Sequence, residues 1–309
     1  MDELIKKIHA ARNIGFTNTI LSLRCAAYKE KLDAKYLQPK SATKVKKSGQ
    51  LISCEQRPSG AHFRFEHTIL KISYLSQSLV FIGWDAAEMI PSYAVARSEW
   101  PTVKVAVTQT DSSWHLQSEA LRLKVSEQGA LSILKPDGQL LRWEKPPQLK
   151  DDGWSQQAAL PPEACIYGLG ERAGRLNLRP GRYKFWNTEV GGTYAPGDDP
   201  LYICMPVYLC VHEFGSYLVF YDNTFAGQLT LGGGAEIHFE DGPARYYIAA
   251  GSPAETLESI TELTGRAPLP PRWALGYHQS KWGYRTEAEM RRVFKKFQQH
   301  DLPSVSYTH

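Results

Sequence analysis

The feature that most constrains the fold is a change of hydrophobic period near residue 252. Between residues 50 and 251 the chain is a series of short segments in which apolar and polar residues alternate, as around Phe63 and Phe65. Alternation with a period of two is typical of half-buried strands. Turn residues such as Pro136-Asp137-Gly138 separate the segments. Many short strands with frequent turns predict an antiparallel β-sandwich.

Helical signals begin where this alternation ends. Ser252-Pro253-Ala254-Glu255 has the pattern of a capping box with proline at the first helical position, and the helix should end at Gly265. The proline-rich residues 267–271 predict a domain boundary. Beyond them, residues 274–279 are predicted as a strand, and Thr286-Glu287-Ala288-Glu289 predicts the start of a helix. A strand followed by a helix is the first βα unit of a parallel α/β domain.

Charge is divided unevenly along the chain. The net charge is +4, but residues 1–47 carry +7 and the remainder carries −3. A nucleic-acid-binding domain needs a basic face on its folded part, and this division argues against one. We therefore expect residues 1–49 to form a basic extension that is only loosely attached, and we expect no nucleic-acid partner. Limited proteolysis should leave a stable body that begins near residue 50.

Two motifs contain the residue types of a cofactor or metal site without the context that such a site needs. Gly168-Leu169-Gly170-Glu171-Arg172-Ala173 has the glycines of a dinucleotide-binding fingerprint, but residues 175–181 contain a proline where that site requires a helix. These glycines are expected to permit a tight β-corner. Cys204, Cys210 and His212 do not have the spacing of a zinc site, so we expect them to be buried on one strand face. The sequence thus predicts no cofactor and no metal.

Hydropathy and cysteine usage bear on the cellular location. The longest apolar stretch, residues 201–211, is too short to cross a membrane as a helix. The chain begins Met-Asp-Glu, without the apolar core of a secretory signal. Its cysteines are odd in number and scattered, which favours reduced thiols over a disulfide framework. We expect a cytoplasmic protein with no membrane partner. The cysteines are Cys25, Cys54, Cys165, Cys204 and Cys210.

Four segments together carry a resemblance to a known family. Three of them are Ile166-Tyr167-Gly168-Leu169-Gly170-Glu171-Arg172, Trp186-Asn187-Thr188-Glu189 and Asp199-Pro200-Leu201-Tyr202. The fourth, which is highly specific, is Pro270-Pro271-Arg272-Trp273-Ala274-Leu275-Gly276-Tyr277-His278-Gln279-Ser280-Lys281-Trp282-Gly283-Tyr284. The first three resemble the N-terminal domain of glycoside hydrolase family 31, and the fourth resembles the start of its catalytic barrel. This is the family of α-glucosidases and α-xylosidases, and the resemblance covers residues 60–303.

The resemblance implies a mostly β fold and a hydrolytic activity. It implies a galactose-mutarotase-like antiparallel β-sandwich at residues 50–268, followed at residues 269–309 by the first βα unit of a truncated (β/α)₈ TIM barrel. The reaction would be retaining hydrolysis of α-glycosides, which needs two carboxyl groups about 5–5.5 Å apart. The family carries its nucleophile in an Asp-Met-Asn-Glu segment, and these 309 residues contain no such segment. We therefore assign no catalytic residue and expect an N-terminal fragment that is inactive alone.

Two residues of this chain match substrate-cleft positions of the family. Trp282 matches an aromatic wall of the subsite that holds the terminal sugar, where an indole face can bury the C–H face of a pyranose ring. The alternative is a buried loop tryptophan. Glu189 matches a position, usually Asp, on a sandwich loop that reaches over the barrel mouth. Because Glu is one methylene longer, a solvated surface carboxylate is the alternative. The implied partner is an α-linked oligosaccharide or glucoside.

A non-catalytic carbohydrate-binding β-sandwich module is the alternative function. Such a module needs no barrel, but it requires a preformed pocket on the sandwich itself. The sequence shows no distinct cluster of aromatic and polar residues that demands one. A third function, binding of nucleic acid through the basic N-terminal segment, would need the folded basic face that the charge division argues against.

The C-terminal residues depart from the family. After Asp301-Leu302-Pro303 a buried barrel strand should be almost continuously apolar, but the chain reads Ser304-Val305-Ser306-Tyr307-Thr308-His309. With codons chosen for these residues, one added base before them changes the reading to Leu (or Phe, Ile or Val), followed by Ser-Val-Ile-His. We hypothesise a one-base deletion, or a sequencing error, just after the Pro303 codon. The downstream genomic DNA tests this hypothesis.

Overall fold

The computed structural model describes residues 15–36, 44–85, 87–110, 112–190, 194–281 and 283–308. The helices are α1 (Phe16–Tyr36), α2 (Pro253–Thr264) and α3 (Glu287–Gln299), and a 3₁₀ turn covers Arg272–Leu275. In the described parts of the chain, no helix combines the length and the hydropathy needed to cross a bilayer.

The strands form two large antiparallel sheets and one small parallel pair. They are β1 (Leu51–Arg57), β2 (Gly60–Phe65), β3 (Ile69–Tyr74), β4 (Leu79–Trp84), β5 (Ala106–Thr110), β6 (Ser113–Gln117), β7 (Arg122–Ser126), β8 (Leu131–Leu134), β9 (Leu140–Glu144), β10 (Gln148–Lys150), β11 (Gly153–Ala159), β12 (Cys165–Gly170), β13 (Gly181–Phe185), β14 (Cys204–His212), β15 (Gly215–Tyr221), β16 (Gly227–Leu231), β17 (Gly234–Phe239), β18 (Arg245–Gly251), β19 (His278–Ser280) and β20 (Ser306–Thr308).

The two large sheets build the predicted sandwich. The eight-stranded sheet has the order β1-β2-β3-β4-β18-β15-β14-β12. The ten-stranded sheet has the order β13-β16-β17-β11-β9-β8-β7-β6-β5, with β10 paired to β11. Alternate residues of both sheets point inward and form one continuous hydrophobic core. The mostly β, antiparallel sandwich expected from the sequence is confirmed.

Helix α2 explains why three central strands are apolar without alternation. Strands β4, β15 and β18 are buried on both faces along almost their whole length. Ile260 and Leu263 of α2 contribute to a second core cluster with these strands, on the outer face of the eight-stranded sheet. The predicted capping box begins this helix, because the Ser252 hydroxyl accepts from the Glu255 N–H and the Glu255 carboxylate accepts from the Ser252 N–H.

The βα unit after the proline-rich joint is present, with one boundary corrected. The strand predicted at residues 274–279 was placed too early, since β19 begins at His278. Residues 272–275 instead form the 3₁₀ turn, which the Gly276 N–H closes onto the Trp273 carbonyl. Thr286 caps α3 as expected, and β20 lies parallel to β19.

A buried ion pair lies between the two sheets. Arg142 donates from Nε to Glu144 Oε2 at 2.6 Å, and both side chains are fully buried. The Arg142 guanidinium also donates to the hydroxyls of Tyr208 and Tyr221, at 2.6 and 3.2 Å. Tyr246 donates to the other oxygen of Glu144. Since Arg142 and Glu144 point inward, Trp143 between them points out of the sandwich.

The glycine motif of β12 forms a β-bulge, and residues 171–190 after it contain no helix. The pairing of β12 with β14 shifts register between Gly168 and Gly170, where φ is +116° and +82°. A Cβ at either position would lie within 2.7 Å of a carbonyl oxygen of the neighbouring chain segment. These positions therefore require glycine for the bend and for close strand approach, as the sequence predicted.

Candidate functional site

The loop that follows β13 presents the predicted residue Glu189 at the surface. Its Trp186 side chain is 62% exposed, and Glu189 is exposed as well. The Thr188 N–H donates to the Leu201 carbonyl at 2.9 Å, and the Thr188 hydroxyl donates to the Trp186 carbonyl at 3.0 Å. The backbone on the N-terminal side of Glu189 is thereby held against the segment that leads into β14.

One ion pair connects two of the segments that carry the family resemblance, and it also contacts the end of β13, just before the third. Arg172 donates to Asp199 Oδ1 at 2.7 Å, and these side chains are only 5% and 16% exposed. Arg172 also donates to the Lys184 carbonyl at 3.1 Å, while Asp199 Oδ2 accepts from the Lys184 N–H at 2.7 Å. The pair therefore fixes the end of β13 just before the Glu189 loop begins.

Asn187 and Cys204 form a second tie at the same place. The Asn187 side-chain oxygen accepts from the Cys204 N–H at 2.7 Å, and the Cys204 thiol accepts from Arg172 at 3.4 Å. Cys210 and His212 are buried on the same strand, whereas Cys204 is half-buried. Among the residues that the structure describes, no group of three His, Cys, Asp or Glu side chains could hold a metal ion.

A cavity of about 360 Å³ lies beside the loop. Asp222 is its buried acidic group, and burial raises the pKa of that carboxyl, although a hydrogen bond from Ser92 and the nearby Arg245 oppose the rise. The cavity combines aromatic walls with amide, hydroxyl and carboxyl groups. Its lining comprises Ala94, Phe185, Trp186, Asn187, Cys204, Pro206, Phe220, Asp222, Asn223, Thr224 and Phe225.

Trp282, the other predicted site residue, lies outside the described residues. Strand β19 ends at Ser280, so Trp282 follows its C-terminal end. In (β/α)₈ barrels that end of each strand faces the active site. The placement of Trp282 and Glu189 in one cleft stays a prediction.

Sequence reasoning found the loop but missed its support. Arg172 and Asp199 were recognised only as members of separate motifs, not as partners. Glu171 adjoins Arg172 and Asp198 adjoins Asp199, so opposite charge alone does not identify the two partners in the sequence. Tyr183 lies near it, and burial together with Asp199 raises the pKa of the Tyr183 phenol.

Family models match two parts of the chain. Residues 33–229 match the glycosyl hydrolase 31 N-terminal galactose mutarotase-like domain. Residues 267–307 match the glycosyl hydrolases family 31 TIM-barrel domain. The first match alone covers more than half of the chain.

Individual relatives and solved structures agree with these matches. Alpha-glucosidase 2 of Bacillus thermoamyloliquefaciens is 40% identical over 142 residues, which are 45% of this chain and 18% of that protein. Alpha-xylosidase 1 of Arabidopsis thaliana is 28% identical over 171 residues, or 50% and 18% of the two chains. A GH31 dextranase of Flavobacterium johnsoniae superposes with a TM-score of 0.77 at 23% identity, over 85% of this chain and 34% of that one. The chain thus spans less than a fifth of the length of the curated relatives it matches.

Proposed function

The chain belongs to glycoside hydrolase family 31 and corresponds to the N-terminal part of such an enzyme, and from this premise we propose that the whole protein hydrolyses α-linked glucosides or oligosaccharides. The observation that carries the proposal is the Arg172–Asp199 ion pair. It joins two motif segments of the sandwich to the Lys184 backbone at the end of β13, and so holds the base of the loop that exposes Glu189. A loop held in this way can contribute a carboxylate to a cleft on a neighbouring domain, because substrate binding then does not carry the entropy cost of ordering the loop.

The contribution of these residues to the reaction is binding and orientation of the substrate. The retaining reaction passes through an oxocarbenium-like transition state and uses a nucleophile and an acid/base, neither of which we assign to this chain. Glu189 accepts hydrogen bonds from sugar hydroxyls, which places the glycosidic bond between those two carboxyl groups. Trp282 stacks against the C–H face of the terminal sugar ring.

A chimeric enzyme tests this proposal. Residues 45–303 of this chain replace the corresponding segment of the Bacillus alpha-glucosidase, and hydrolysis of an aryl α-glucoside is measured. Glu189→Gln in the chimera should lower kcat/KM about tenfold to a hundredfold, because it weakens hydrogen bonds made by a charged acceptor. The matched control is Glu119→Gln, which alters an exposed carboxylate between β6 and β7 and should leave kcat/KM unchanged.

If Glu189→Gln leaves kcat/KM of a folded, active chimera unchanged, Glu189 does not bind substrate and this part of the proposal is wrong. We also propose a cytoplasmic location. All five cysteines are free thiols, which suits a reducing compartment.

A further inference from the structure

The outer face of the ten-stranded sheet contains a trough with an aromatic wall. Trp143 of β9 lies on this face because its neighbours Arg142 and Glu144 point into the core. Its side chain is half-buried and lines a cavity of about 360 Å³. The trough is distinct from the cavity beside the Glu189 loop, since the two share no lining residue.

Small residues leave the space beside Trp143 open. Its cross-strand neighbours are Ser132 on β8 and Ala159 on β11, and Ala159 is paired in turn with Gly234 on β17. The turn before Gly234 consists of glycines that have no atom within 4 Å of an added Cβ. Since no large side chain of this row stands next to the indole, the floor of the trough is flat and the aromatic wall rises above it.

A row of polar side chains forms the opposite side of the trough. Gln157 pairs with Glu236, and Glu236 pairs with Thr230, on three adjacent strands of the same face. The Lys145 ammonium donates to the Gln157 side-chain oxygen at 3.0 Å, and the Gln157 amide donates to Glu236 at 3.5 Å. The row therefore offers oriented donors and acceptors, and its one cation and one carboxylate offset each other in charge.

We propose that this trough is a carbohydrate-binding site on the sandwich that takes one pyranose ring of a neutral oligosaccharide. The ring lays its C–H face on the Trp143 indole, while its hydroxyls exchange hydrogen bonds with Gln157 and Glu236. Because the charges of Lys145 and Glu236 offset each other, the row favours a neutral ligand, and the continuous polar row disfavours an apolar peptide. The choice of an α-linked glucan as the natural ligand rests on the proposed function.

The test is a titration of the 309-residue chain with maltotriose and with isomaltotriose. Calorimetry measures the affinity, and NMR monitors the indole N–H resonances of the tryptophans. The Trp143 resonance, identified by its loss in Trp143→Ala, should move on titration. Trp143→Ala should weaken binding about tenfold or more, the loss expected for an aromatic stacking contact. Trp143→Phe should keep most of the affinity, because it retains an aromatic face. Gln157→Ala, which leaves the aromatic wall intact, should also weaken binding.

The matched control is Trp273→Ala, which removes a more exposed tryptophan on the 3₁₀ turn after the sandwich and should leave binding unchanged. Loss of binding in Trp186→Ala but not in Trp143→Ala would overturn the trough and place the sugar at the Glu189 loop. Absence of saturable binding to both sugars would also contradict the proposal that the trough binds carbohydrate. The chimera experiment judges the proposed function independently, since it measures turnover at the barrel.

Discussion

At the scale of single residues, the most important feature is that Arg142 and Glu144 point into the sandwich while Trp143 points outward. A buried guanidinium and carboxylate are costly to desolvate, and they persist only when they are paired and hydrogen-bonded. The hydroxyls that surround them remain neutral, because burial raises the pKa values of Tyr208 and Tyr221. The same arrangement turns Trp143 outward, where it forms the wall of the trough.

Removing one partner of this pair should be strongly destabilising. Arg142→Met leaves the Glu144 carboxylate buried without its cation, and we expect the free energy of unfolding to fall by about 3–5 kcal/mol. The double variant Arg142→Met/Glu144→Leu removes both charges and should lose less than the single variant. Urea unfolding followed by circular dichroism measures both effects.

An exposed ion pair serves as the control for this prediction. Arg57 and Glu55 lie 2.9 Å apart, with side chains 45% and 64% exposed. Because water screens such a pair, Arg57→Met should change the free energy of unfolding by less than about 1 kcal/mol. Equal losses in Arg57→Met and Arg142→Met would contradict a special role for the buried pair.

At the scale of elements, the N-terminal residues and the sandwich differ in how they are held. The apolar side chains Leu21, Leu23 and Tyr28 of α1 are largely exposed. Lys46 is attached to the sandwich, where it forms a backbone bridge with Leu149 and an ion pair with Asp85.

Limited proteolysis should therefore remove α1 before it cuts the sandwich. We expect trypsin to cleave at the basic residues of α1, because a helix whose side chains are largely exposed opens readily. The stable product should begin close to Lys46, slightly earlier than the boundary near residue 50 expected from the sequence. Mass spectrometry of the product identifies its first residue.

Two results would contradict this prediction. One is resistance of the Arg24 and Lys29 bonds at trypsin levels that already cut sandwich residues such as Lys124. The other is loss of the cooperative unfolding transition when residues 1–44 are deleted. Either result would mean that the N-terminal residues contribute to the folded core.

At the scale of the whole molecule, the described chain combines a large sandwich with the first βα unit of a barrel domain. The sandwich has a continuous core of its own between its two sheets. By contrast, α3 has no buried residue, and Tyr277 stacks on Phe297 with ring centroids 5.8 Å apart. The βα unit thus makes internal contacts but buries little of its surface within the described residues.

The purified 309-residue chain should show no turnover of an aryl α-glucoside above background. Retaining hydrolysis requires both a nucleophile and a proton donor, and these residues contain no segment that resembles the nucleophile motif of the family. The measurement is release of the aryl alcohol over time. Turnover that survives repurification and disappears on mutation of a carboxylate in this chain would refute the prediction.

Local sequence patterns determined much of this protein by themselves. The alternating segments and their turns predicted the antiparallel sandwich, because a period of two and turn residues act over only a few positions. Ser252 and Glu255 predicted the start of α2 for the same reason, since a capping box is closed within one helical turn. The family resemblance implied that Glu189 lies on a loop of the sandwich, and residues 186–190 form a loop after β13.

Contacts between residues that are far apart in the sequence were determined only by the tertiary structure. Alternation says that Arg142 and Glu144 share one face of β9, but hydrophobicity alone would turn Trp143 inward instead. The hydroxyls of Tyr208 and Tyr221, which come from the opposite sheet, reverse that preference because they satisfy the guanidinium. The Arg172–Asp199 pair likewise joins residues 27 positions apart. Such contacts form only after the chain has folded, so no local pattern in the sequence contains them.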